Sequence, residues 1–136
     1  MSSTRSLVCL DVGEKRIGVA IADSGIRIAI PYETVLVDGT EVSRIIEVIT
    51  QEKADTLVIG YPRNQLGEST AQSRYVEQFA TQFEDAVATI VFQDESLTSV
   101  LAEDRLKEMG SPYQKSDIDM QAAAIILQDF IEANYG

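Results

Sequence analysis

No histidine and no tryptophan occur in this chain of 136 residues, cysteine occurs once and proline three times. The missing histidine removes the side chain that ordinarily titrates near neutrality, and with it imidazole general bases and imidazole metal ligands. The single thiol, Cys9, cannot form an internal disulfide, and within the apolar run LVCLD it reads as a small buried hydrophobe. No apolar run approaches the roughly 18 residues of a membrane span, and the opening MSSTRS lacks the long apolar stretch of a signal peptide. Without an export signal or a disulfide framework, the sequence predicts a cytoplasmic protein. Positive charge is scarce too: 11 Lys and Arg against 22 Asp and Glu give a net charge of −11. That argues against broad electrostatic capture of a polyanion, so a nucleic-acid function must rest on a local basic patch or on metal ions.

What is present is an ordinary globular composition, 45% hydrophobic and 24% charged, enough for one domain over residues 1–136 with a single buried core. Residues 6–11 (SLVCLD) and 16–23 (RIGVAIAD) read as strands joined by the turn VGEK, and 26–37 as a third strand broken at Pro31. Short glycine-containing turns between them predict an antiparallel meander. Helical spacing then appears over 40–53, with Thr40 as cap, and over 68–83, 98–110 and 119–135. Two continuous apolar runs, 56–60 and 86–92, alternate with these helices and read as buried strands. The order β-β-β-α-β-α-β-α-α predicts an α/β fold: a mixed sheet, helices on both faces, and a functional edge at the carboxyl ends of the parallel strands.

Acidic residues collect at that edge. Asp11 ends the first strand, Asp94 and Glu95 follow the last, and Asp117 and Asp119 precede the final helix. Carboxylates without histidine or cysteine suit hard cations such as Mg²⁺ or Mn²⁺. Two such ions about 3.5–4 Å apart can activate a water and hold the leaving oxygen of a phosphodiester. Each acid has a plainer reading: Asp11 as a turn residue, Glu95 as a solvated residue, and Ser116-x-x-Asp119 as a helix capping box. Lys15, Arg16, Arg63 and Lys115 lie in or beside loops at the same edge, and Asn64 adds a neutral hydrogen-bonding group. A cationic rim around an acidic centre is what phosphate positioning requires, although Lys and Arg also simply favour loops. Ser69 or Thr70 could cap the second helix, and the spacing of Gly60 and Gly67 is not that of a P-loop.

Four ordered stretches, LDVGEKRIGVAIAD, VIGYPRNQLGES, DESLTSVLAEDRL and DMQAAAIILQDFI, resemble the motifs of the YqgF family over nearly the whole chain, from about residue 6 to 132. That family is described as Holliday-junction resolvases and as nucleases for the 5′ end of pre-16S ribosomal RNA. The resemblance implies a ribonuclease H-like fold with strand order 3-2-1-4-5. It also implies a Mg²⁺- or Mn²⁺-dependent phosphodiesterase in which Asp11, Glu95 and Asp119 are catalytic and hold the metal. Lys15, Arg16, Arg63, Asn64 and Lys115 would then contact a partner nucleic acid, pre-rRNA or branched DNA. The twofold character of a four-way junction would suit a homodimer. Two motifs depart from the family pattern: Glu14 replaces a threonine in the first, and Ser96 and Ser99 replace an arginine and a threonine in the third. Asp11 and Glu95 would also stand two strand spacings apart, about 10 Å at the backbone, so closing the site needs twist and long side chains. Glu68 is a candidate intermediate ligand.

Two other readings compete. An apolar strand followed by D-x-G also opens actin-like nucleotide-binding modules, which need two lobes where this length supplies one. A non-catalytic nucleic-acid or ribosome-maturation binding protein would use the same acids only for capping and solvation.

Overall fold

The computed structural model describes residues 6–23, 25, 27–62, 70–95 and 98–135. Five strands form one sheet in the order β3-β2-β1-β4-β5, as the resemblance implied. The first three, β1 (Ser6–Val12), β2 (Arg16–Asp23) and β3 (Ile30–Leu36), make the antiparallel meander. Strands β4 (Ala54–Pro62) and β5 (Thr89–Glu95) then add in parallel on the other side of β1. Helix α1 (Glu41–Glu52) connects β3 to β4, α2 (Ala71–Ala80) connects β4 to β5, and α3 (Thr98–Met109) and α4 (Lys115–Asn134) close the chain.

Alternation along the strands divides the interior in two. Val8, Leu10 and Val12 of β1, with Ile17 and Val19 of β2 and Leu57 and Ile59 of β4, face α1 and α2 in the larger cluster. The intervening residues Leu7, Cys9, Ala20, Ala22 and Val58 face Ala123, Ala124, Ile126, Leu127, Phe130 and Ile131 of α4. Each fully buried Leu, Ile or Val contributes roughly 1.5–3 kcal/mol, and the two layers hold the central strand from both sides. Cys9 is buried in the second layer as expected, and burial, with Asp11 and Glu95 nearby, pushes its thiol well above the usual range.

Several boundaries differ from the sequence reading, each for a local reason. Strand β5 runs three residues further than its apolar core, so Asp94 and Glu95 end the strand instead of following it. Those last residues are held by parallel pairing to Tyr61 and Pro62, which apolar periodicity does not register. Helix α4 starts at Lys115, four residues early: Gln114 caps it, and its backbone N–H donates to Asp117 Oδ2 at 2.9 Å. The capping acid is therefore Asp117, and Asp119 belongs to the second turn. Thr40 makes no side-chain cap on α1, because its hydroxyl donates instead to Asp38 Oδ1 at 2.6 Å. Thr70 does cap α2, exchanging hydrogen bonds with Ser73. Helix α3 stops where expected, at Gly110, whose φ of 77° a residue with a Cβ adopts at a penalty.

Candidate active site

The same alternation decides which side chains meet at the sheet's edge. Asp11 shares its face with Leu7 and Cys9, and Glu95 shares its face with Val91, so both acids point to the side covered by α4. Asp119 comes to that side from α4 itself. The three acids foreseen in the sequence thus lie on one face, at one end of the sheet.

Between Asp11 on β1 and Glu95 on β5 runs β4, and at this level β4 carries Gly60. A Cβ built there would lie 2.3 Å from Glu95 Oε2 and 2.7 Å from Ile126 Cδ1. The glutamate side chain therefore passes over the intervening strand through the space that glycine leaves. This resolves the two-strand separation: twist alone is not required, because the middle strand offers a bare position. The Asp11 and Glu95 carboxyl groups come close enough for each to perturb the other's ionisation.

Electrostatics match this arrangement. Burial, the Glu95 charge and the Asp119 charge together push Asp11 up to about 7. Burial also raises Glu95, partly opposed by the neighbouring Asp11 carboxyl. One oxygen, Glu95 Oε2, is buried with no hydrogen-bond partner among the described residues. Such an orphaned acceptor is costly unless something else satisfies it.

Asp119 is placed differently. Arg16 Nε donates to its Oδ2 at 2.6 Å, across the start of β2, with side chains 34% and 22% exposed. Its charge reaches Asp11, yet among the described residues no group of three acidic, histidine or cysteine side chains is close enough to share one ion. The arrangement is a contacting pair, Asp11 and Glu95, with the third acid tied to a guanidinium beside it. Backbone packing fixes where Asp119 starts from. Gly18 faces α4 so closely that a Cβ there would lie 1.9 Å from the Asp119 carbonyl oxygen, and Gly18 is the cross-strand partner of Asp11. Thr34 of β3 holds the first turn of the same helix, donating to the Ser116 carbonyl at 2.5 Å.

Of the basic residues singled out, Lys15 is exposed in the β1–β2 turn and Lys115 is exposed at the first position of α4. Both flank Arg16. Arg63, Asn64, Glu68, Ser69 and Ser96 lie outside the described residues, as does the side chain of Ser99. Sequence reasoning missed Gly18 and Gly60. The signal for Gly60 was available: an apolar β-strand, TLVIGYP, interrupted by one glycine at the level of the acids.

Comparison with known proteins gives the family and the fold. Residues 5–133 match the family model RuvX, described as Holliday junction resolvase. A relative from Chloroflexus aurantiacus is 39% identical over 132 residues, covering 93% of this chain and 86% of that protein. One from Synechocystis is 35% identical, covering 97% and 90%. Both carry the name “Putative pre-16S rRNA nuclease”. Among solved structures, RuvC of T. thermophilus in complex with a Holliday junction substrate superposes with a TM-score of 0.58 at 15% identity, covering 97% of this chain and 96% of that one. Fowlpox virus resolvase in complex with Holliday junction DNA gives 0.57 at 14%, covering 94% and 97%. At those identities the likeness establishes the ribonuclease H-like fold.

Proposed function

The chain belongs to the RuvX family of Holliday junction resolvases, and from that premise we propose a divalent-metal-dependent endonuclease that hydrolyses phosphodiester bonds in structured nucleic acid. The observation that carries this reading is Glu95 Oε2, buried and without a hydrogen-bond partner among the described residues, beside the Asp11 carboxyl that burial and the Glu95 charge push up to about 7. Two close acids, all-oxygen donors and an unsatisfied acceptor fit Mg²⁺ or Mn²⁺. Asp11 and Glu95 are the residues that would hold the ion, with Asp119 completing the set. When bound, the cation would supply charge neutralisation at the scissile phosphate and polarise its oxygens. The chain's own part is positioning. Gly60 lets Glu95 reach Asp11, β1 and β5 fix both backbones, and Arg16, Lys15 and Lys115 offer cations to the phosphates either side of the cut. Arg63 and Asn64 are assigned the same contact from their place in the sequence.

The substrate we favour is the 5′ end of precursor 16S rRNA, which the names of the curated relatives support. Branched DNA is the second reading, favoured by the description of the matching family model. The experiment offers purified protein both a 5′-extended 16S precursor and a four-way DNA junction, with Mg²⁺ and with EDTA. Metal-dependent cleavage of either, abolished in Asp11→Asn and Glu95→Gln, is the expected result. Full activity in Asp11→Asn would remove the metal assignment. Absence of both cleavage and thermal stabilisation by Mg²⁺ would leave a binding protein instead.

A further inference from the structure

The ion pair between Arg16 and Asp119 sits between the two functions proposed for this edge. Arg16 is placed to meet a phosphate, and Asp119 is placed to join Asp11 and Glu95, but each occupies the other. Asp119 has no competing structural duty, since Asp117 caps α4. Its backbone is pinned against Gly18, so the helix has no room to advance and only the side chain is free to turn. Arg16 has Asp119 as its partner among the described residues, and the pair remains partly open to solvent, within reach of an incoming anion. A guanidinium matches a phosphate as well as it matches a carboxylate, with parallel N–H donors for either.

We propose that Arg16 withholds Asp119 from the metal until a nucleic-acid phosphate takes over the guanidinium, so that substrate binding completes the carboxylate set. The proposal rests on the metal-dependent reading above and adds to it an order and a coupling. The exchange conserves charge pairing: Arg16 trades one anion for another, and Asp119 trades a guanidinium for a divalent cation. Two consequences follow by linkage. Nucleic acid strengthens metal binding, and metal strengthens nucleic-acid binding by the same factor.

The test measures Mn²⁺ binding by electron paramagnetic resonance or calorimetry, in the absence of nucleic acid. Arg16→Gln is expected to bind Mn²⁺ about fivefold tighter than the wild type or more, the low end of typical coupling factors. Loss of a nearby positive charge would also tighten cation binding, so the same substitution is made in an Asp119→Asn background. There it should have no effect if it acts by releasing Asp119, and an undiminished effect would overturn the proposal. A second arm needs no change at Arg16. In EDTA, Asp119→Asn should tighten binding of a labelled four-way DNA junction about fivefold, because the guanidinium is freed. Asp117→Asn removes a neighbouring charge that is not paired with Arg16, and should leave that affinity unchanged. Equal tightening by both would overturn the exchange. Wild-type protein that binds no Mn²⁺ with or without the junction, alongside Arg16→Gln that binds none either, would remove the metal-dependent reading itself. Measurable wild-type Mn²⁺ binding that Arg16→Gln leaves unchanged would remove only the coupling.

Discussion

Asp11 titrates far above the ordinary carboxylate range. With no histidine present, and Cys9 raised well above its ordinary value, the groups that carry this pH dependence among the described residues are acids raised by burial: Asp11, with Glu95 and Asp129 shifted in the same direction. Asp11 stands at about 7 in the folded chain against an ordinary 3.8. Between those values the folded protein keeps a proton that the unfolded chain has released, so metal-free stability falls as pH rises through that window. Glu33 and Asp38, lowered by Arg44 and by Thr40, act below their ordinary carboxylate values and do not mask the trend. Thermal melts in EDTA should therefore give a lower Tm at about pH 8 than at pH 5, and Asp11→Asn should reduce the difference. Saturating Mg²⁺ should restore Tm at the higher pH. Side-chain length at position 95 matters separately. Glu95→Asp shortens the reach across β4 by one methylene, and the expected outcome is a folded protein whose Mn²⁺ affinity, measured calorimetrically, has collapsed. The identity of these acids was legible from their hard-oxygen character and the resemblance. The tie between Arg16 and Asp119 was not, because it joins residues 103 positions apart and depends on where α4 begins.

At the scale of elements, two glycines do what no motif advertises. A methyl group at Gly60 would meet the flexible end of Glu95 and Ile126 Cδ1, whereas one at Gly18 would meet the backbone of α4. Side chains can turn aside and a helix backbone cannot. Gly60→Ala is accordingly expected to lose about 1–3 kcal/mol by denaturant titration and to displace Glu95, while Gly18→Ala should lose more and lift α4 from β2. The meander was readable because turn residues and apolar runs mark it, whereas the strand order came from the resemblance. The end of β5 and the start of α4 were harder. Pairing with β4 extends one past its apolar run, and Gln114 with Asp117 begins the other inside a polar stretch that resembles a loop. These two boundaries are the ones that set where Glu95 and Asp119 stand, so the site was less legible than the fold.

For the whole molecule, a net charge of −11 limits how nucleic acid is held. Few cations are available at the active edge: Lys15, Arg16, Lys115 and, from the sequence, Arg63. Each phosphate neutralised contributes about −0.9 to the slope of log affinity against log salt on duplex DNA, so the slope should be no steeper than about −4. Fluorescence anisotropy across a salt series checks this, and a much steeper slope would point to basic contacts elsewhere. Each of Lys15 and Lys115 changed to Gln should reduce the slope by about one. Because Asp11 and Glu95 must look toward the same side of the sheet, the chain tolerates changes in length unequally. A single extra residue between Val91 and Glu95 would send that carboxylate to the opposite side, under α2. Two would return it to the correct side but one step too far along. Lengthening the β2–β3 connection, remote from the acids, carries no such rule, and insertions there should leave the acids in step.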